Sequence, residues 1–385
     1  IDLCHIVPKE VGGMDDTGWG FNYMSDWRNS IGTGPFMLTD YVSGSSGTFV
    51  RNPNYWMKDP IHPENTLPYV DTVRYLIITD SSTRMAALRT AKIDWMGGWL
   101  ASVGWEDAAS LQRTTPQLSY CKYLPDSAAA IHWRVDKPEL PIYDVRVRRA
   151  LCMAVDNQLI ADTYYGGQAE IMCWPVHPIP QYKNMFTPLE EFPEVIREQF
   201  EYHPDKAKQL LTEAGYPNGF KTEIICQQTQ VDLLSIIKDY WAKVGVTLDI
   251  QVKEAAVYNS IGLKNTHEQM FMAGLSGGLP YRYFYSAPHM NNNSMVDDPR
   301  VNQAKLDCSK YWMDEAKRDQ IVKETAPYQL ENAWFLQLPI AYSYTFWWPW
   351  VKNYAGDSQV GYCNYDDMAR FVWVDQELKK EMTGQ

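Results

Sequence analysis

Gly274-Leu275-Ser276-Gly277-Gly278 carries the G-x-S-x-G spacing of a nucleophile elbow, in which a serine hydroxyl stands on a strained turn between a strand and a helix. The apolar run Met270 to Leu275 supplies a strand. The next segment, Leu279-Pro280-Tyr281-Arg282-Tyr283-Phe284-Tyr285, is a poor helix, and no downstream His/Asp pair is spaced to serve the serine. The Asp-Asp pairs Asp15-Asp16, Asp297-Asp298 and Asp366-Asp367 have the residue type for glycoside hydrolysis. Adjacent carboxylates in turns are ordinarily solvated, and Asp297-Asp298-Pro299 reads as a helix start with Pro at the first helical position. The seven histidines are dispersed, without His-x-x-His or His-Glu-x-x-His, so no resident metal and no cofactor is expected. There is no G-x-x-x-x-G-K, which excludes a P-loop ATPase. A secreted hydrolase acting through Ser276 or a carboxylate pair is thus the alternative to a protein that is not an enzyme.

The positive signal is aromatic. Trp, Tyr and Phe number 15, 25 and 12, or 14% of 385 residues. Flat indole faces stack on rings or on apolar sugar faces, and the indole N–H donates one hydrogen bond. The same residues also fill cores, which is the commoner fate of any single Trp. Lys plus Arg is 35 and Asp plus Glu is 47, a net charge of −12, so the basic face that nucleic acid requires is not expected. No run approaches the roughly 20 apolar residues that span a bilayer. The seven cysteines lie far apart with no C-x-x-C and are expected mainly as buried thiols, with one or two disulfides left open.

The elements that must position these residues alternate between strand and helix. Met37 to Val42 and Thr48 to Arg51 flank the turn Ser43-Gly44-Ser45-Ser46-Gly47 and read as a hairpin. Val70 to Ile78 is β-rich. Ser82 is expected to cap a helix to about Ala91, and Ile93 to Met96 to be a short strand. Helices are expected over 104–113, from Asp144, from Asn157, over 204–214, 230–244, 300–313 and 314–332. In the helix after Asp144, Val147, Ala150, Leu151, Ala154 and Val155 form the inner stripe, with Arg146, Arg148 and Arg149 off it. Strands are expected over 128–135, 222–227, 246–252 and 270–275, with an aromatic β-like stretch over 335–375. This order implies an α/β fold.

Four blocks, in order, resemble the extracytoplasmic solute-binding protein family 5, the peptide, nickel and oligosaccharide receptors of ABC importers. The first is Gly32-Thr33-Gly34-Pro35-Phe36 with Arg51-Asn52-Pro53-Asn54-Tyr55-Trp56. The second runs from Asp144-Val145-Arg146 to Ala154-Val155-Asp156 and on to Tyr165-Gly166-Gly167-Gln168-Ala169. The third is Pro204-Asp205-Lys206-Ala207 to Gly219-Phe220. The fourth is Trp241-Ala242-Lys243-Val244-Gly245-Val246.

The resemblance implies a two-lobed clamp of the periplasmic-binding-protein type (type II, cluster C). Residues 1–125 and 347–385 would form a discontinuous lobe I, and 126–346 lobe II. Only 31 residues precede the Gly32 block, so lobe I is expected to be truncated at its N-terminal side. It also implies a small-molecule solute held between the lobes, delivery to the transmembrane subunits of an ABC permease, and a monomer. Such a protein would be extracytoplasmic, in the periplasm or at the cell surface, and lipid-anchored. Ligand contacts are expected from Trp95, Trp99, Trp133, Trp174, Ser276, Gly277, Tyr281 and Trp347. Peptide-binding members place an acidic residue near Ser276 for the ligand's amino group. Met272 to Tyr281 contains none, which favours an oligosaccharide or other neutral solute over a peptide.

Overall fold

The computed structural model describes residues 26–98, 101–277, 280, 284–287, 291–357 and 366–384, together with the backbone of two short strands, Met14–Asp15 and Gly18–Trp19. In chain order the elements used below are β1 (Phe36–Val42), β2 (Ser46–Arg51), β3 (Thr72–Leu76), α1 (Ser81–Arg89), β4 (Trp95–Met96), α2 (Trp105–Thr114), β5 (Ser119–Tyr123), β6 (Ser127–Trp133), α3 (Val145–Met153), β7 (Ala169–Glu170), α4 (Pro204–Glu213), β8 (Lys221–Cys226), α5 (Val231–Ala242), β9 (Thr247–Val252), α6 (Ala255–Lys264), β10 (Met270–Ser276), α7 (Pro299–Lys310), α8 (Glu315–Glu331), β11 (Phe335–Gln337), β12 (Ile340–Ala341), β13 (Ser343–Trp347) and α9 (Gln376–Thr383). The chain divides into two compact units, residues 1–123 with 343–385 and residues 124–342.

Unit 1 holds two three-stranded sheets, besides two two-stranded ones. β1, β2 and β3 form an antiparallel meander, and β13 lies between β4 and β5. Asp80, not Ser82, caps α1: its carboxylate accepts from the Thr83 amide at 2.7 Å. Trp348 and Trp350 stack at 4.6 Å with an interplanar angle of 4°. Their indole nitrogens donate to Leu88 O and to Asp94 Oδ1. Lys379 of α9 donates to the same carboxylate oxygen, so one Asp ties the C-terminal helix to this core.

Unit 2 is built on a five-stranded mixed sheet in the order β9-β8-β10-β6-β11. The pattern of each strand follows from its place. At the edge, β9 is largely exposed and alternates; at the centre, β10 reads Met-Phe-Met-Ala-Gly-Leu-Ser and is buried except at Ala273 and Gly274. β10 runs parallel to β8 and pairs antiparallel with β6 over seven residues, from Met270↔Trp133 to Ser276↔Ser127. The turns after α4 and α5 touch main chain to main chain: a Cβ on Gly219 would lie 1.9 Å from Gly245 O.

The stripe expected on α3 is buried, but Arg148 joins it at 4% exposure. Its guanidinium donates to four main-chain carbonyls, Ile142, Tyr143, Asn332 and Ala333, at 2.6 to 3.1 Å. Burial lowers its pKa to about 10, so the side chain stays charged at neutral pH. Helical spacing alone places this arginine off the apolar stripe. Two of the carbonyls that recruit it lie 184 and 185 residues further along the chain. The sequence gives no expectation of α6; none of its side chains is fully buried, although Tyr258 stacks on Phe271 at 4.6 Å.

Replacing Arg148 by Met is expected to cost about 3 kcal/mol, because it leaves buried carbonyls without their donor. The denaturant midpoint of the variant tests this; a change below about 0.5 kcal/mol would contradict it.

Candidate functional site

In unit 1 the ladder between β13 and β4 sets Trp347 directly across from Trp95. Tyr354 packs against both, its ring centroid 4.9 Å from each, tilted on Trp95 and edge-on to Trp347. Trp347 is 9% exposed, whereas Trp95 and Tyr354 are less deeply buried. The Trp95 indole N–H is sealed from solvent; it turns towards the Tyr354 hydroxyl without completing a hydrogen bond of standard geometry. That hydroxyl donates to Asp357 O at 2.6 Å, and burial pushes its pKa up. Glycines let the chain pass closely after Trp95. A Cβ on Gly97 would lie 2.3 Å from the Thr345 side chain, and Gly98 adopts φ 74° while its carbonyl accepts from Tyr123 Oη. The result is an aromatic corner of Trp95, Trp347 and Tyr354. Sequence reasoning missed Tyr354. The only signal available was its short distance in sequence from Trp347.

In unit 2 the expected contacts separate. Trp133 is wholly buried, stacks on Trp241, and donates its N–H to Ala333 O at 2.8 Å. It therefore serves the core and does not face a solute. Trp174 is 2% exposed among Tyr285 and Phe335, and its amide donates to Gln337 Oε1. Its indole nitrogen has no hydrogen-bond partner, and the residue lines a cavity of about 10 Å³ with Gln199, Gln329 and Gln337. That volume holds about one water and no larger solute, so Trp174 is not a solute platform in this form.

Ser276 is also buried. Its Oγ donates to Asp126 O at 2.9 Å, and its amide donates to Tyr285 Oη at 2.8 Å. A nucleophilic serine needs a base to take its proton, and here the proton is engaged by a main-chain carbonyl. Gly277 allows close packing: a Cβ there would lie 1.8 Å from Cys173 O and 2.7 Å from His177. Trp99 and Tyr281 lie outside the described residues. Of the acidic pairs, Asp298 caps α7, accepting from the Arg300 and Val301 amides, with Pro299 in its first turn, and Asp297 accepts from Asn302. The side chains of the other two pairs lie outside the described residues.

Cys121, Cys152, Cys173, Cys226 and Cys308 are free thiols, with burial pushing Cys152 to about 12 and Cys308 to about 11. Among the described residues no group of three or more His, Cys, Asp or Glu is placed to hold a metal. Among the described residues His132, His177 and His267 are buried. Burial lowers His132 to about 3, and His177 and His267 to about 4; His267 also disfavours the charge on His132, and Arg134 that on His267. The main chain at Gly274 approaches His132, and that at Asn293 approaches His267, without a hydrogen bond of standard geometry.

The chain matches the family profile described as bacterial extracellular solute-binding proteins, family 5 Middle, over residues 10–295. It is 30% identical to Heme-binding protein A of Haemophilus influenzae over 291 residues, 72% of this chain and 48% of that protein. It is 28% identical to the Dipeptide-binding protein of Escherichia coli K12 over 267 residues, 66% of this chain and 45% of that protein. The chain thus spans about half the length of the curated relatives it matches. Its fold is that of the periplasmic binding protein DppA from Helicobacter pylori, solved with the peptide STSA. There the TM-score is 0.66 and the identity 24%, covering 89% of this chain and 63% of that one. The two-lobed α/β class expected from the sequence is the class of these structures.

The buried histidines carry a pH dependence whose sign is fixed. Their folded-state pKa values lie below the unfolded value of 6.5, so the unfolded chain binds more protons below that pH. Stability is expected to fall from about pH 6.5 towards pH 4, each histidine contributing up to about 1.4 kcal/mol per pH unit. His132→Phe, set among Phe335 and Tyr285, is expected to flatten that slope by one histidine's share. Urea midpoints for both chains at pH 7, 6 and 5 measure it, and parallel curves would refute the assignment.

Proposed function

Because the chain belongs to the bacterial extracellular solute-binding proteins of family 5, we propose that it is the solute-capturing part of an ABC importer and not an enzyme. In this reading a small solute is held between two lobes and released to the transmembrane subunits of a permease. The protein works outside the cytoplasm as a monomer, held at a membrane by a lipid anchor. Among the described residues no helix is long and apolar enough to cross a membrane. Solute making contacts with both lobes shifts the open–closed equilibrium by its differential affinity for the closed form.

The observation that carries the solute class is the Trp95–Trp347–Tyr354 corner. Its rings suit a neutral, stackable solute, an oligosaccharide before others, and Met272 to Tyr281 offers no carboxylate to an amino group. A short peptide is the second reading, favoured by relatives named for dipeptides and by DppA with its bound peptide.

Titration with neutral oligosaccharides, short peptides, haem and nickel, read by tryptophan fluorescence and calorimetry, is the test. An oligosaccharide is expected to bind and shift the emission. Trp95→Ala is expected to weaken that binding about 3- to 10-fold, the worth of one ring stack. No binding across the panel would remove the receptor reading, and binding of peptides alone would select the second.

A further inference from the structure

The chain crosses between its units twice, after Tyr123 and after Tyr342. Both crossings are tied down inside unit 2 by side chains remote in sequence. On the first, the Ser276 hydroxyl holds the carbonyl of Asp126, one residue before β6 begins, and Tyr285 holds the amide of Ser276. On the second, β12 pairs with β7 through Ile340↔Glu170 and Ala341↔Ala169. The Tyr342 amide then donates to Gln168 O at 2.9 Å, and its hydroxyl donates to the Glu170 carboxylate. A small apolar cluster joins the two: Leu124 of the first crossing packs on Ala128, Cys173 and Ile340, the last from the second crossing. Within unit 1 the crossings meet again, because the ladder of β5 and β13 begins at Tyr123↔Ser343.

Little chain is left between these holds. The first crossing has Leu124 and Pro125; the second has the single junction from Tyr342 to Ser343. Pro125 fixes its own φ near −65° and restricts Leu124 to extended conformations. We propose that Ser276 and the Tyr342–Glu170 pair form a hinge seat, making them positioning residues that confine reorientation of the units to Leu124-Pro125 and Tyr342-Ser343. This rests on the reading that the protein works by closure. It gives Ser276, conspicuous in sequence as a nucleophile candidate, a role in conformation that neither catalysis nor solute contact requires. Two or three soft dihedrals on each crossing suffice for a hinge, since hinges are a few element-terminal residues.

The test measures the distance distribution between spin labels carried by non-canonical amino acids at Ile61 and Met313. These positions are 82% and 94% exposed in units 1 and 2. Pulsed electron resonance on the ligand-free chain compares wild type with Ser276→Ala, Tyr342→Phe and Pro125→Gly. All three are expected to broaden the distribution, while the thermal midpoint moves by no more than about 3 °C, as for loss of one hydrogen bond. Pro125→Gly removes no hydrogen-bond donor and keeps the test open if either other variant folds poorly. Unchanged widths in folded Ser276→Ala and Tyr342→Phe would overturn the seat. So would a Pro125→Gly chain as narrow as wild type. No solute enters the measurement, so a chain that binds nothing in the panel yet broadens on substitution separates failure of the receptor reading from failure of the seat.

Discussion

The seven-residue antiparallel ladder between β6 and β10 is the constraint on which unit 2 depends. Because side chains alternate along a strand, its register decides the side of the sheet on which every residue of both strands lies. One end of the ladder buries Trp133 against Trp241. The other sets Ser276 beside Ser127, within reach of Asp126. A shift of one residue would drive Trp133 out of the core and detach the first crossing. The register of β10 is held from both sides, by its pairing with β8 and with β6.

Electrostatics in this unit are organised around burial more than around chemistry. Arg148 directs its charge at main-chain carbonyls of two loops, and the loss of hydration is offset by charge-assisted hydrogen bonds. The histidines take the opposite course and stay neutral. Both arrangements stabilise a scaffold at neutral pH.

Hydrogen bonds fix most of the core tryptophans, with buried Trp174 an exception among the described residues. Trp133, Trp241, Trp348 and Trp350 each give the indole proton to a defined oxygen and belong to cores. Trp95 makes no such bond of standard geometry, is less buried, and stands with Tyr354 on a glycine-bounded corner. Sequence position does not separate these groups. Trp347 and Trp348 are adjacent, yet one packs on Tyr354 of the corner and the other stacks on Trp350.

The sequence by itself determined the α/β alternation and the family. Periodicity, caps and turn residues are local, and family blocks are strings of such local signals. β5, α6 and α9 escape a reading of the sequence: none of them has a fully buried side chain to mark an inner face. What only the tertiary structure decided was which of many chemically identical side chains meet. Ser276 reaches a carbonyl 150 residues earlier, and Tyr342 a carboxylate 172 residues earlier. Such pairings depend on sheet order and register, which arise from packing the whole unit at once and leave no mark in the residues on either side.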